Sequence, residues 1–361
     1  MKKTLLYIIG IISASVVFTA CKKETKTPKS SADQITLGLY QYQSSSYKRI
    51  FVPITAIGSK AVNYASVFDT GSAGMTIDAQ GVLPASMITA NGITVTGDSV
   101  VVDGITVTSK QSTMSYGDAT SKFTEYGNLA YAPITIGDAN GKITTKRIPF
   151  FIYYKIVNET TGATMSAHAA DIFGVSSGYS YASTAIQSPL AYFNTNSDIT
   201  QGFRLALLKR DAFSSQGTFV AGLLSIGLTA ADRTQSGFIM HPLSFTQKGG
   251  YSPNIPATIT YNGVSTSAQV LFDTGNPMIT SIKNKQETNA LGNLPANSTV
   301  NVTTNQGFSY TYTTTSTSYY TTIQNPNDTN DIRSIFSIDF FIDNQYLMDY
   351  ANHQIGLKNG K

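Results

Sequence analysis

A six-residue pattern occurs twice in this chain and limits its fold more than any other feature. Residues 67–72 read Val-Phe-Asp-Thr-Gly-Ser, and residues 271–276 read Leu-Phe-Asp-Thr-Gly-Asn. In each copy two apolar residues, typical of a strand, lead to a carboxylate that needs hydrogen-bond donors if it is buried. The glycine permits a sharp turn and the threonine supplies a short hydroxyl group. Two such turns packed back to back would hold Asp69 and Asp273 side by side.

The residues that precede the two copies repeat as well. In each case a predicted strand, a turn that contains glycine and a second strand lead to the aspartate. The turn glycines, Gly58 and Gly263, precede Asp69 and Asp273 by nearly the same number of residues. The second turn is Asn-Gly, which is a strong signal for a hairpin. Because the whole unit recurs, the sequence predicts two duplicated lobes.

Three further patterns lie outside the hairpins. Downstream of the two copies, residues 171–174 read Asp-Ile-Phe-Gly and residues 334–337 read Ser-Ile-Phe-Ser. Near the C-terminus, residues 346–357 predict a strand that ends in aspartate, a turn through Ala-Asn, and a return strand that contains Ile-Gly-Leu. Between the two copies, residues 115–118 read Ser-Tyr-Gly-Asp and are flanked by predicted strands.

Together these motifs resemble the pepsin-like aspartic proteases, which carry one Asp-Thr-Gly in each of two related lobes. The resemblance implies an all-β, bilobal fold, with two pseudo-twofold-related β lobes and the cleft between them. It also implies an aspartic endopeptidase in which Asp69 and Asp273 share a proton and activate a water molecule. The residues expected to support this dyad are Thr70, Gly71, Ser72, Thr274, Gly275 and Asn276.

The resemblance extends to a flap and includes some departures. Tyr116 and Gly117 match the flap tip, where a tyrosine closes over the substrate. Asn276 stands where the family usually has Ser or Thr, Pro277 is a further difference, and Ser337 replaces a glycine that packs tightly. These departures keep a second hypothesis open, that of a catalytically inactive pepsin-like binding lipoprotein.

The N-terminus predicts export and a lipid anchor. Residues 1–20 have a lysine pair and then an apolar run, which is typical of a signal peptide. The small residues before Cys21 resemble a bacterial lipobox, which implies cleavage there and lipid on the thiol; the alternative is an ordinary signal peptide with an incidental cysteine. Residues 21–34 are polar and predict a flexible tether. We therefore expect a bacterial cell-envelope protein, anchored to a membrane on the periplasmic side or the outer surface.

Two lobes should fill the remaining sequence, with residues 35–195 as the N-terminal lobe and residues 196–361 as the C-terminal lobe. Only 13% of residues are charged, and tyrosine is frequent, which indicates strands and turns. The net charge is +4, with no basic stripe for nucleic acid. One cysteine and three scattered histidines give no disulfide and no metal-ligand spacing. We expect a monomer that acts on a peptide or protein substrate without a metal or cofactor.

A rival motif lies at residues 174–178, which read Gly-Val-Ser-Ser-Gly and match the nucleophile elbow of serine hydrolases. That chemistry requires a helix directly after Ser176 and a regular alternation of strands and helices. The next residues, Tyr-Ser-Tyr, do not predict a helix start. The paired aspartates are therefore the favoured catalytic groups.

Overall fold

A computed structural model describes residues 34–117, 122–193, 198–288 and 292–360 of the chain. The predicted signal peptide, Cys21 and the tether up to residue 33 lie outside the described residues, as do Asp118 and the predicted lobe boundary at residues 195 and 196. The described residues all fall within one compact unit, Ala32–Lys361. Within the described ranges, no helix is long and apolar enough to cross a membrane.

Strands dominate the first half of the described chain, as its β-branched and aromatic residues favour. They are β1 (Ile35–Ser44), β2 (Tyr47–Ile57), β3 (Lys60–Asp69), β4 (Ala73–Asp78), β5 (Ile88–Thr89), β6 (Gly92–Ile93), β7 (Ser99–Val102), β8 (Ile105–Gly117), β9 (Lys122–Asp138), β10 (Gly141–Asn158), β11 (Ile172–Val175), β12 (Thr200–Leu205) and β13 (Thr218–Leu228). Short 3₁₀ turns occur at Ala85–Met87, Pro189–Ala191 and Arg210–Ala212.

The second half is built in the same way and adds three short helices. Its strands are β14 (Ile239–Pro242), β15 (Phe245–Thr246), β16 (Gly250–Tyr251), β17 (Ile255–Tyr261), β18 (Val264–Phe272), β19 (Thr280–Lys283), β20 (Gly292–Asn293), β21 (Thr299–Thr304), β22 (Ser309–Thr313), β23 (Thr321–Gln324), β24 (Arg333–Phe336), β25 (Asn344–Asp349) and β26 (Gln354–Asn359). The helices are α1 (Ala230–Thr234), α2 (Pro326–Thr329) and α3 (Phe340–Asp343).

Two large sheets organise these strands. The larger runs in the order β14-β26-β25-β12-β13-β1-β2-β3-β11-β4-β10-β9-β8-β7, and β2 also pairs with β9. The smaller runs β20-β23-β19-β24-β18-β17-β21-β22. Strands from both ends of the sequence therefore meet in the larger sheet, whereas the smaller sheet is built from the second half alone.

The duplicated hairpins form as the sequence predicts. Strand β3 pairs antiparallel with β2 and parallel with β11, where Phe68 lies opposite Phe173. Strand β18 pairs antiparallel with β17 and parallel with β24, where Phe272 lies opposite Phe336. All four phenylalanines are almost completely buried. Each aspartate thus stands at the end of a strand that is held on both sides and packed beneath by aromatic rings.

Candidate active site

The two Asp-Thr-Gly loops interlock through their threonines. The Thr70 amide donates to the Thr274 hydroxyl and the Thr274 amide donates to the Thr70 hydroxyl, each over 3.0 Å. The Thr70 hydroxyl in turn donates to the Phe272 carbonyl at 2.8 Å, and the Thr274 hydroxyl donates to the Phe68 carbonyl at 2.6 Å. Both threonines are fully buried. This reciprocal network fixes one loop against the other, since breaking either half leaves buried polar groups unpaired.

The glycines of the two loops cross over toward the opposite aspartates. A Cβ atom placed on Gly71 would lie 2.4 Å from the carboxyl carbon of Asp273, and one on Gly275 would lie 2.5 Å from that of Asp69. A side chain at either position would therefore collide with the opposite carboxyl group. The structure thus brings Asp69 and Asp273 together at the centre of the interlocked loops.

Asp69 receives its hydrogen bonds from its own loop. Its Oδ1 accepts from the amides of Gly71 and Ser72 at 2.7 and 3.1 Å, and its Oδ2 accepts from the Ser72 hydroxyl at 2.7 Å. The residue is 8% exposed. An ionised carboxylate is an acceptor only, so three donors on one group suit the charged form.

Asp273 has a different set of partners. Its Oδ1 accepts from the Gly275 amide at 2.7 Å, whereas the Asn276 side-chain amide points away and donates to the Ile279 carbonyl at 2.7 Å. Burial, the charge of Asp69 and a hydrogen bond with Asp69 raise the pKa of Asp273 well above its usual range. The Gly275 amide and the Arg49 guanidinium act in the opposite direction. The hydrogen bonds therefore favour the charge of the pair on Asp69, which has three donors, over Asp273, which has the Gly275 amide.

The two loops also differ in the residue that packs behind each of them, which is Gly174 for the first and Ser337 for the second. A Cβ atom on Gly174 would lie 2.6 Å from the Gly74 carbonyl oxygen, so glycine is required at that position. Its counterpart Ser337 is fully buried, and its amide donates to the Thr280 hydroxyl at 3.2 Å. The serine fits because the return strand of the second loop begins only at Thr280, after the extra residues that follow Asn276.

The predicted flap residues lie at the end of a long hairpin. Tyr116 pairs with Phe123 across β8 and β9, and Gly117 closes the described part of the strand. Tyr116 packs on a small buried cluster that includes Met114 and Phe151. Its hydroxyl is buried and has no hydrogen-bond partner among the described residues. Tyr116 and Gly117 are therefore outside the hydrogen-bond network of the dyad.

Sequence reasoning missed two adjacent basic residues of the first hairpin, Lys48 and Arg49, that contact the second loop. The Arg49 guanidinium donates to the Gly275 carbonyl at 2.6 Å, and the Lys48 amide donates to the Pro277 carbonyl at 3.0 Å. The Lys48 ammonium forms a buried ion pair with Asp339 at 2.6 Å. Adjacent cations on a strand, in a chain with so few charges, were the available signal.

A buried carboxyl group behind the first loop was also missed. Glu125, on the returning flap strand, is fully buried and its Oε1 accepts from the Thr76 hydroxyl at 3.2 Å. Its Oε2 has no partner within the described part of the chain. Burial raises the pKa of Glu125 well above its usual range, and the charges of Asp171 and Asp78 add to this effect. Burial within the first lobe therefore favours the neutral form of Glu125.

The rival nucleophile has no catalytic setting. Ser176 is 2% exposed, and its amide donates to the Ser72 carbonyl at 2.9 Å. No helix begins directly after it in the described residues, where the next helical turn is the 3₁₀ segment Pro189–Ala191. The elbow that the motif would require is therefore not formed.

Solved structures share this architecture. The aspartic proteinase from Irpex lacteus matches with a TM-score of 0.56 and 16% sequence identity, over 91% of this chain and 97% of that one. Basic 7S globulin from soybean matches with a TM-score of 0.56 and 10% identity, over 90% of this chain and 96% of that one. No family model and no curated protein matches the sequence. At such identities the likeness shows the fold alone, and the expected bilobal pepsin-like fold is confirmed.

Proposed function

We propose that this chain is an aspartic endopeptidase that hydrolyses peptide bonds with water activated by Asp69 and Asp273. The observation that carries the proposal is the pair of interlocked loops, in which each glycine lies against the opposite carboxyl group. Loops locked in this way hold two carboxyl groups in one place at little further entropic cost, as acid–base catalysis requires.

The two aspartates take different roles because their donors differ. Asp69, with three donors, is the ionised member and accepts a proton from the bound water. Asp273 is protonated and donates a hydrogen bond to the carbonyl oxygen of the substrate. Water adds to the carbonyl carbon to give a tetrahedral diol. Asp69 then passes its proton to the amide nitrogen, a hydroxyl of the diol returns a proton to Asp273, and the C–N bond breaks without a covalent bond between enzyme and substrate.

The flap supplies the contacts that hold the substrate. Strands β8 and β9 offer a long hairpin, and an extended peptide beneath it can pair with exposed backbone groups. The Tyr116 hydroxyl has no hydrogen-bond partner among the described residues, and its ring packs on a mainly apolar cluster. Tyr116 and Gly117 are proposed to cover the substrate during hydrolysis.

A hydrolysis assay on an unfolded protein tests this function. The chain should cleave it in acidic to neutral solution, and a statine-type transition-state analogue should block the cleavage. Asp69→Asn and Asp273→Asn should each abolish it. Asp103→Asn is the matched control, because Asp103 is exposed in a left-handed turn (φ 48°) that asparagine tolerates. Cleavage that survives either dyad substitution would refute the proposal.

A second candidate is a binding protein that retained the fold without turnover. It is favoured by the Asn276 amide, which donates to the Ile279 carbonyl and not to Asp273. One structural neighbour is also named as a globulin and not as a proteinase. Peptide binding without cleavage at any pH would favour this candidate.

The site is proposed to act at the bacterial cell envelope. The support is the sequence before Cys21, which resembles a lipobox, and the polar tether that follows it. The proposed partners are a peptide or protein substrate and a membrane reached through the lipid, with the protein as a monomer. Metabolic labelling with a fatty acid should mark the wild type, whereas Cys21→Ser should remain unlabelled; labelling of the variant would exclude this anchor.

A further inference from the structure

The first hairpin reaches across to the second catalytic loop through adjacent residues. Arg49 binds the Gly275 carbonyl through a side-chain nitrogen at 2.6 Å, and the Lys48 amide binds the Pro277 carbonyl at 3.0 Å. The Lys48 side chain is used elsewhere, in the ion pair with Asp339. Arg49 therefore brings a positive charge to the second loop.

The position of Gly275 places this charge beside the dyad. Gly275 packs against the Asp69 carboxyl group, and it follows Asp273 by two residues. A guanidinium bound to its carbonyl is therefore close enough to interact electrostatically with both carboxyl groups, and the charges of Asp69 and Asp273 both act on Arg49. Arginine keeps its charge even when partly buried, so the cation is present at every pH at which the aspartates titrate.

We propose that Arg49 is a positioning residue of the dyad. It holds the Gly275 carbonyl in place, and its charge favours the ionised forms of the aspartate pair. This role rests on the proposed hydrolysis. A cation near two carboxyl groups favours each loss of a proton, so the singly ionised pair exists at lower pH than it otherwise would. The effect of Arg49 on Asp273 has this direction, since it lowers the pKa that burial and Asp69 raise.

Other charged or titratable groups around the site do not replace this cation. Lys48 and Asp339 neutralise each other, and Arg333 is paired with Asp331 at 2.8 Å. The phenols of Tyr47 and Tyr346 also face Arg49 and Asp273, respectively. Phenols are neutral in acidic solution. Among the described residues around the site, Arg49 therefore supplies the positive charge near the dyad that a single substitution can remove.

The pH dependence of kcat/KM tests this role. Arg49→Gln should move both limbs of the bell-shaped profile upward by about one pH unit, because both ionisations become harder. Activity then falls about 10-fold on the acid limb and rises about 10-fold on the alkaline limb, so the two profiles cross. Arg49→Lys, which keeps the charge, should restore most of the wild-type profile. Arg147→Gln is the matched control, because that exposed arginine binds Thr106 far along the same lobe.

A uniform loss of activity at every pH, with unmoved limbs, would overturn the electrostatic role. So would a profile that Arg49→Gln leaves unchanged. A loss that only arginine and not lysine repairs, again with unmoved limbs, would mean that Arg49 serves the Gly275 contact alone.

Thermal unfolding tests the same inference without relying on turnover. The gap in Tm between the wild type and Arg49→Gln should widen from pH 3 to pH 7 by about 2 °C, as the pair ionises. In an Asp69→Asn/Asp273→Asn background the gap should be constant with pH. If the wild type cleaves nothing, the proposed function fails, while this gap still decides on Arg49. A gap that does not depend on pH in the wild-type background would contradict the inference.

Discussion

The two Asp-Thr-Gly loops begin alike and end differently. Both carry a buried threonine that bonds the opposite loop, so the positions of the two carboxyl groups are set by symmetric contacts. After the glycine the symmetry ends: β4 begins directly after Ser72, whereas β19 begins only at Thr280. The shared contacts therefore determine where the carboxyl groups lie, and the differing donors favour the charge on Asp69.

The difference has a physical cause in the longer second loop. Residues 276–279 delay the start of the return strand until Thr280. The Asn276 side-chain amide donates to the Ile279 carbonyl. Asp273 therefore lacks the side-chain donor that Ser72 gives to Asp69. A carboxyl group with fewer donors and a charged neighbour retains its proton more readily, which supports the proposed roles of Asp273 as the acid and Asp69 as the base.

The largest expected effect comes from removing the carboxyl group of either loop. Asp69→Asn and Asp273→Asn should each lower kcat/KM by about 10³-fold or more, because each removes one proton-transfer group. Their effects on stability should differ, since burial and Asp69 raise the pKa of Asp273. A raised carboxyl pKa means that stability present at low pH is lost as the pH rises, so Asp273→Asn should raise Tm near pH 7 and not near pH 3. A pH-independent change in Tm would contradict this assignment.

The next effect concerns the residues beneath the two loops. Gly174→Ser should lower the free energy of unfolding by about 2–3 kcal/mol, because its Cβ atom would lie against the Gly74 carbonyl oxygen. The reciprocal Ser337→Gly should lower it by only about 1 kcal/mol, since it removes a small side chain from a site with room for it. Denaturant unfolding measures both. Equal losses would mean that the space behind the two loops is the same, which would contradict the difference in packing between Gly174 and Ser337.

A smaller effect isolates the hydroxyl that distinguishes the loops. Ser72→Ala removes a donor to Asp69, which should move the acid limb of the pH profile upward by about half a pH unit and lower activity there about 3-fold. Asn276→Ala should leave the limb in place, because its amide bonds Ile279. Peptide hydrolysis between pH 2 and pH 7 provides the comparison. A shift of the limb by Asn276→Ala and none by Ser72→Ala would reverse our assignment.

The smallest effect lies behind the first loop. Glu125 is buried in the first lobe, where its Oε1 accepts from the Thr76 hydroxyl. Glu125→Gln should change the free energy of unfolding by less than about 0.5 kcal/mol near pH 4, because an amide replaces a neutral carboxyl of the same shape. Since the pKa of Glu125 is raised, the variant should gain relative stability as the pH rises. Urea unfolding at two pH values measures this, and a gain at pH 4 only would contradict it.

Much of the fold could be predicted because its signals are local and repeated. The Asn-Gly turn before β18 and the apolar run into Asp273 specify a hairpin from neighbouring residues alone. The second copy turns that hairpin into a prediction of two lobes. The pairing of β24 with β18 could be expected only through the resemblance, because parallel pairing depends on residues far apart in the sequence.

The rest of the site depends on contacts that no local pattern records. The approach of Arg49 to Gly275 joins residues 226 apart. The turn of the Asn276 amide toward Ile279 follows from the loop path after Pro277, and the room for Ser337 follows from the same path. Sequence reasoning could name Asn276 and Ser337 as departures, but their partners depend on the path of the second loop, and the Arg49 contact depends on how the two lobes meet.

The proposed charge on Asp69 and proton on Asp273 can be tested by locating the shared proton. We suggest ¹³C NMR of the protein labelled at the aspartate carboxyl carbons, with the Asp69→Asn and Asp273→Asn variants used to assign the two resonances. At the pH at which the pair holds one proton, we expect an ionised chemical shift for Asp69 and a protonated one for Asp273, with each titration altered by loss of the other. A protonated Asp69 with an ionised Asp273, or two carboxyl groups that titrate independently near their usual pKa, would contradict it.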